Sequence, residues 1–213
     1  LENVLIVLSA DHGATPSATY LSQFNIESGE FSLHEVINHP PVKTLLTKLK
    51  LDWSKLVVDE SPNLYLNNHY LKSKGIDKEA FTHQLSRAIS TYPKIAYAIK
   101  TTSLAKQPGV IPTVRKLLAN QFSTRSGEIY LIPKPFFVID DSPNSKAHHG
   151  SPWRYDTHVP IIFSHPKLTQ RRVSREVHTI DIVPTLAAIF NLSAPAQARG
   201  QVLSEIKDQL SPP

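Results

Sequence analysis

Val4-Leu5-Ile6-Val7-Leu8-Ser9-Ala10-Asp11-His12-Gly13 carries an unbroken apolar run straight into an acid, an imidazole and a glycine. Every position from Val4 to Leu8 is apolar, so neither face of the strand it predicts suits water. That is the pattern of a strand buried between two helix layers, with parallel neighbours on each side. Asp11-His12-Gly13 then stands at the strand's carboxyl end, where open α/β sheets build their ligand sites. Adjacent residues of a regular strand point to opposite faces. Asp11 and His12 can therefore serve one ion only if the backbone turns there, and Gly13 permits such a turn. Read alone, the tripeptide also fits a plainer account, in which Asp11 caps the next element and His12 hydrogen-bonds at a turn.

The rest of the chain is that of a folded globular protein. Its 213 residues can enclose one ample core, or a core and a small satellite sheet. With 40% apolar and 19% charged residues it does not have the composition of a disordered chain. It has no cysteine, which excludes disulfides and thiolate metal sites and leaves His, Asp and Glu as the available ligands. No apolar run approaches the roughly 20 residues of a membrane-spanning helix. No charged-then-apolar-then-small leader opens the chain either. A net charge of +5 would suit an anionic substrate, yet the Lys and Arg residues are scattered. The tight cluster Arg171, Arg172 and Arg175 lies beside a helix start and reads as solvated surface. Basic and aromatic residues do not interleave at strand spacing, so a nucleic-acid partner is not expected. The chain contains no methionine and enters its first strand almost at once, from which we expect it to be cut from a longer polypeptide.

Along the chain, a polar loop with Pro16 and Gly29 leads to a helix after Pro41, in which Val42, Leu45, Leu46 and Leu49 recur at helical spacing. Leu51 to Val58 alternates weakly, and Asn63 to Leu66 reads as a short strand. Asp77 caps a helix whose Phe81, Leu85, Ala88 and Ile89 share a face. Ile95 to Ile99 is a strand, Val114, Leu117 and Leu118 mark a short helix, and Gly127 to Ile132 is a strand closed by Pro133 and Pro135. A polar loop from Asp140 to Tyr155 precedes a buried strand from Val159 to Phe163, where Pro160 argues for the first residues or an edge. A last helix starts near Thr179 or Asp181 with Pro184 in its first turn, and Val183, Leu186, Ala187 and Phe190 form its apolar face. The alternation predicts the α/β class, with the middle third able to form a smaller sheet of its own.

A second histidine-glycine step lies in Ala147-His148-His149-Gly150-Ser151-Pro152-Trp153, in a loop before a strand. A neutral imidazole supplies one strong nitrogen ligand. Carboxylate and imidazole without thiolate suit zinc, then manganese or a similar borderline ion. His148 reads as a neighbour. Asp156 and His158 follow closely enough to steady a ligand loop, or simply to make polar contacts between loop and strand. The other histidines show no ligand spacing. The chain has no Gly-x-Ser-x-Gly elbow, P-loop or Gly-x-Gly-x-x-Gly motif.

Three ordered stretches, Leu8-Ser9-Ala10-Asp11-His12-Gly13, His149 to Pro160 and Thr179 to Leu186, together resemble the alkaline phosphatase superfamily. Arg125-Ser126-Gly127-Glu128-Ile129 and Gly200-Gln201-Val202-Leu203 resemble its phosphate-irrepressible bacterial branch, near the type I phosphodiesterases and nucleotide pyrophosphatases. The resemblance implies part of a three-layer α/β/α sheet. Residues 1–213 would be the C-terminal part of one catalytic domain, with a smaller α+β subdomain inserted at about residues 45–140. It implies Asp11 and His12 as ligands of the zinc that also meets the nucleophile, and His149 as a ligand of a second zinc. It further implies a Thr or Ser nucleophile and the remaining ligands upstream, a covalent phospho-enzyme and a small phosphate-ester substrate. Location would be periplasmic or secreted, and this chain alone would be inactive.

Overall fold

The computed structural model describes residues 2–60, 62–102, 121–122, 124–140 and 148–210. The short helix expected around Val114 to Leu118 lies outside them. The chain divides into two units, one formed by Leu1–Gly13 with His158–Pro213 and the other by Ala14–Thr157.

The second unit holds the main core. Asp77 accepts a hydrogen bond from the Ala80 amide at 2.8 Å, which starts the helix Lys78–Ile89 where the sequence places it. Phe81, Leu85 and Ile89 on its inner face are at most 1% exposed. They pack with Val42 and Leu46 of the helix Pro40–Lys48. Beneath lies a four-stranded antiparallel sheet in the order Val57–Glu60, Asn63–Leu66, Ile129–Pro133, Ile95–Lys100. Trp53–Leu56 is a single helical turn in the weakly alternating stretch, capped by Asp52. A further helix, Leu33–Asn38, falls in the segment that reads as loop. Its signal is present in Ser32-x-x-Glu35, which forms a capping box with bonds of 3.2 and 3.0 Å. The strands Gly29–Phe31 and Phe137–Ile139 pair in parallel, and at three residues each they are too short to show a pattern in sequence.

Arg125 to Ile129 proves to be a joint between strands. A Cβ on Gly127 would lie 2.6 Å from the Leu64 carbonyl oxygen, so only glycine lets the two backbones come this close. Next to it, Glu128 accepts the Leu66 amide at 2.6 Å and the Lys78 ammonium at 2.7 Å. Truncating Glu128 to Ala would strand both donors. We expect a loss of about 1–3 kcal/mol in stability, measured by denaturant unfolding.

In the first unit the apolar run forms the strand Ile6–Leu8, paired antiparallel with Ile162–Ser164. This pairing is antiparallel, where the sequence predicts parallel neighbours. Among the described residues this strand has one neighbour, and Ile6 and Leu8 are 51% and 59% exposed. Sequence reports which faces a strand would bury; it does not report which neighbours are there to bury them. Ile162–Ser164 begins after Pro160, whose ring cannot donate to a ladder, and Ile162 is likewise exposed. The helix expected near Thr179 or Asp181 is a 3₁₀ turn, Thr179–Asp181, continued by Ile182–Ile189. Its buried face is Pro184, Thr185, Ala187 and Ile189, whereas Val183 and Phe190 are exposed. The face inferred from apolarity alone is thus rotated.

Thr185 accounts for part of that rotation. Its hydroxyl donates to the Asp181 carbonyl and accepts the Leu203 amide, at 2.6 and 2.9 Å. The Asp181 carboxylate accepts the His178 and Gln201 amides, both at 2.8 Å. Gly200 to Leu203 is therefore a strap hydrogen-bonded across the start of the helix. The helix Ser204–Leu210 that follows carries Glu205, which accepts two bonds from the Arg175 guanidinium. Those bonds draw the Glu205 carboxyl down to about 2 from its ordinary 4.5. A depressed carboxyl contributes stability above its unfolded pKa and loses it on protonation. The first unit should weaken as pH falls from about 4.5 towards 2, and Arg175→Ala should flatten that dependence in denaturant titrations at several pH values.

Candidate metal centre

Asp11, His12 and His158 belong to the first unit, His149 and Asp156 to the second. Asp11 and His12 follow the Ile6–Leu8 strand directly, and their side chains are 87% and 40% exposed. The Asp11 carboxylate accepts the His12 amide at 3.0 Å. His12 Nδ1 lies 2.7 Å from the Gly13 carbonyl oxygen. A carbonyl can only accept, so Nδ1 carries the proton, and in the neutral ring the lone pair falls on Nε2. Nε2 lies 3.6 Å from Asp11 Oδ2. Both reach the same side because the backbone turns after the strand. A ring fixed through Nδ1 to a carbonyl, presenting Nε2 beside a carboxylate, is how proteins orient a metal-binding histidine. The residues therefore fit zinc, for which they offer one oxygen and one nitrogen donor.

His149 is exposed and precedes Gly150, whose φ of +103° suits glycine alone. The loop around it is tied down at several points. Asp156 is 3% exposed and accepts the Ser151 amide at 2.8 Å and the Thr15 hydroxyl at 3.3 Å. The Thr15 amide donates to the His148 carbonyl at 2.8 Å. Trp153 Nε1 donates to the Pro133 carbonyl at 3.0 Å. The Tyr155 hydroxyl accepts the Phe136 amide at 2.9 Å, and its ring stacks on Phe136 at 5.0 Å. These contacts hold Phe136 at φ +66°, an unusual backbone for a bulky residue. The stretch Ser151 to Asp156 thus anchors the histidine loop to the end of the Ile129–Pro133 strand. His158 is exposed at the start of the next segment. Sequence reasoning misses Thr15, which has no local signal and becomes an anchor only through partners more than 130 residues away.

One further group of possible ligands appears among the described residues: Glu30, Asp140 and His148. In sequence His148 reads only as a neighbour, and neither acid stands out.

The fold is of the α/β class and is shared, over 96% of this chain, with the crystal structure of wild-type alkaline phosphatase PafA, at a TM-score of 0.81 and 22% identity. In sequence the chain is 23% identical over 208 residues to alkaline phosphatase PafA of Elizabethkingia meningoseptica, covering 96% of this chain and 37% of the relative. It is 27% identical over 206 residues to alkaline phosphatase PhoK of a Sphingomonas species, covering 90% and 36%. It is also 25% identical over 211 residues to a protein named calcium-transporting ATPase from Myroides odoratus, covering 97% and 37%. No family model matches the chain. In sequence and in fold the chain is similar to bacterial alkaline phosphatases. It spans a little over a third of the length of the curated relatives it matches.

Proposed function

We propose that this chain supplies one flank of a two-zinc site that hydrolyses phosphate monoesters. Asp11 and His12 would hold one zinc, His149 the other. The zinc pair, when bound, would lower the nucleophile's pKa and neutralise charge on the transferring phosphoryl group. The observation that carries this reading is the tethered His12 ring, with Nδ1 against the Gly13 carbonyl and Nε2 beside Asp11. Within its own unit, Asp156 fixes the loop that bears His149. The nucleophilic Thr or Ser and the remaining ligands would come from the part of a longer protein that the relatives have and this chain does not span. The chain alone would then be inactive, and the longer protein would be periplasmic or secreted. Among the described residues no helix is long and apolar enough to cross a membrane.

The relative named as an ATPase gives a second reading a footing: a phosphoanhydride as the scissile bond. The test is hydrolysis of 4-nitrophenyl phosphate, its bis-ester, ATP and 4-nitrophenyl sulfate by the full-length protein and by this chain. The proposal expects the full-length protein to prefer the monoester, and this chain to cleave none of them. Preference for the bis-ester or the sulfate would move the assignment to a phosphodiesterase or a sulfatase. Hydrolysis of none by the full-length protein would indicate a non-catalytic relative.

A further inference from the structure

We infer a third divalent-cation site, built from Glu30, Asp140 and His148 and independent of the phosphatase reading. One ligand atom from each lies within 4.8 Å of the others. His148 Nε2 stands 3.4 Å from Asp140 Oδ2 and 3.6 Å from Glu30 Oε1. The Asp140 side chain is 9% exposed and that of His148 16%. Nε2 itself is shut off from solvent and makes no hydrogen bond, although it is aimed between two carboxylates. A buried imidazole nitrogen left in that state is costly, and a cation between the three groups would remove the cost.

The backbone sets all three in place. Glu30 is the middle residue of the strand Gly29–Phe31, which pairs in parallel with Phe137–Ile139. The Asp140 amide donates to the Phe31 carbonyl at 3.1 Å, which continues that pairing by one residue. The carbonyl of His148 is fixed by Thr15. His148 lies in an extended bridge, where successive side chains point to opposite faces. Adjacent histidines can therefore serve different centres, His149 one and His148 another. Two carboxylates and one imidazole suit zinc or manganese, with water completing the shell.

The competing account is an imidazolium held between two carboxylates with no metal. Nitrogen-15 correlation of the imidazole rings in the metal-free 213-residue chain separates the two, with the His148 signal identified by its loss in His148→Gln. Added zinc is expected to move His148 Nε2 to a metal-bound position, with affinity falling at least about tenfold in Asp140→Asn. Glu30→Gln, at an exposed position, should weaken binding in the same direction and covers the case in which Asp140→Asn fails to fold. An Nε2 that stays protonated and unmoved at millimolar zinc overturns the site. So does a zinc response that neither acidic substitution alters. His12 and His149 signals are read in the same spectra, so failure here and failure of the two-zinc proposal are told apart.

Discussion

His12→Ala in the full-length protein should lower phosphate-monoester turnover by at least about 100-fold, with folding unaffected. Loss of an outer partner of a metal ligand costs about 10–100-fold in affinity or activity, and removal of the ligand itself should cost no less. The substitution falls at a side chain 40% exposed, so little packing is lost with it. His12→Gln separates the two roles, because it restores polar bulk and does not restore the imidazole lone pair. Steady-state kinetics beside a thermal unfolding curve checks this. Asp156→Asn should give a smaller loss, about 10–100-fold, because it would loosen the Ser151 and Thr15 bonds around the His149 loop without removing a ligand.

Gly200→Ala should be among the most damaging single changes to stability. A Cβ there would run into the Ile180 carbonyl and approach the Asp181 amide at 2.7 Å, closer than real side chains come. Both obstacles are backbone, which cannot swing aside as a flexible side-chain end can. The strap from Gly200 to Leu203 would be forced off Asp181 and Thr185, which lose the Gln201 and Leu203 amides together. Overpacking of this kind costs about 1–3 kcal/mol, and the lost bonds add to it, so about 3 kcal/mol or more is expected from denaturant unfolding. Gly75→Ala is the control. Gly75 has φ +68° and a Cβ added there would meet nothing within 4 Å, so it should lose only about 1–2 kcal/mol, the strain of the left-handed backbone.

Where the sequence is informative, it is so through local physics. Asp77 marks a helix start because a short acceptor beside free amides is the usual cap, and Asn63–Leu66 is a strand with the bounds its sequence suggests. The capping box at Ser32 is equally local, but it is masked by the polar segment around it, which reads as loop. What stays hidden depends on partners far along the chain. The strand Ile6–Leu8 reads as buried on both faces, and its environment among the described residues follows from the one antiparallel strand beside it. Thr185 looks like a surface residue of an amphipathic helix until the strap 18 residues on uses its hydroxyl.

The motif residues divide in the same way. Asp11-His12-Gly13 can be recognised because its chemistry lies in adjacent residues. Gly127 and Gly200 look like parts of a functional signature, and each is a point where two backbones come too close for any side chain. Trp153, Tyr155 and Asp156 are anchors for the loop that bears His149. Asp140 and Glu30 give no signal, because the pairing of two three-residue strands brings them together and a bridge to Thr15 places His148 beside them.

The central claim is that Asp11, His12 and His149 are metal ligands, and anomalous diffraction at the zinc edge from crystals of the full-length protein tests it most directly. The account predicts a peak within about 2.0–2.2 Å of His12 Nε2 and an Asp11 oxygen and another at the same range from an imidazole nitrogen of His149, apart from any peak at Glu30, Asp140 and His148. A fully occupied map with zinc elsewhere, and none at Asp11 and His12, would contradict it.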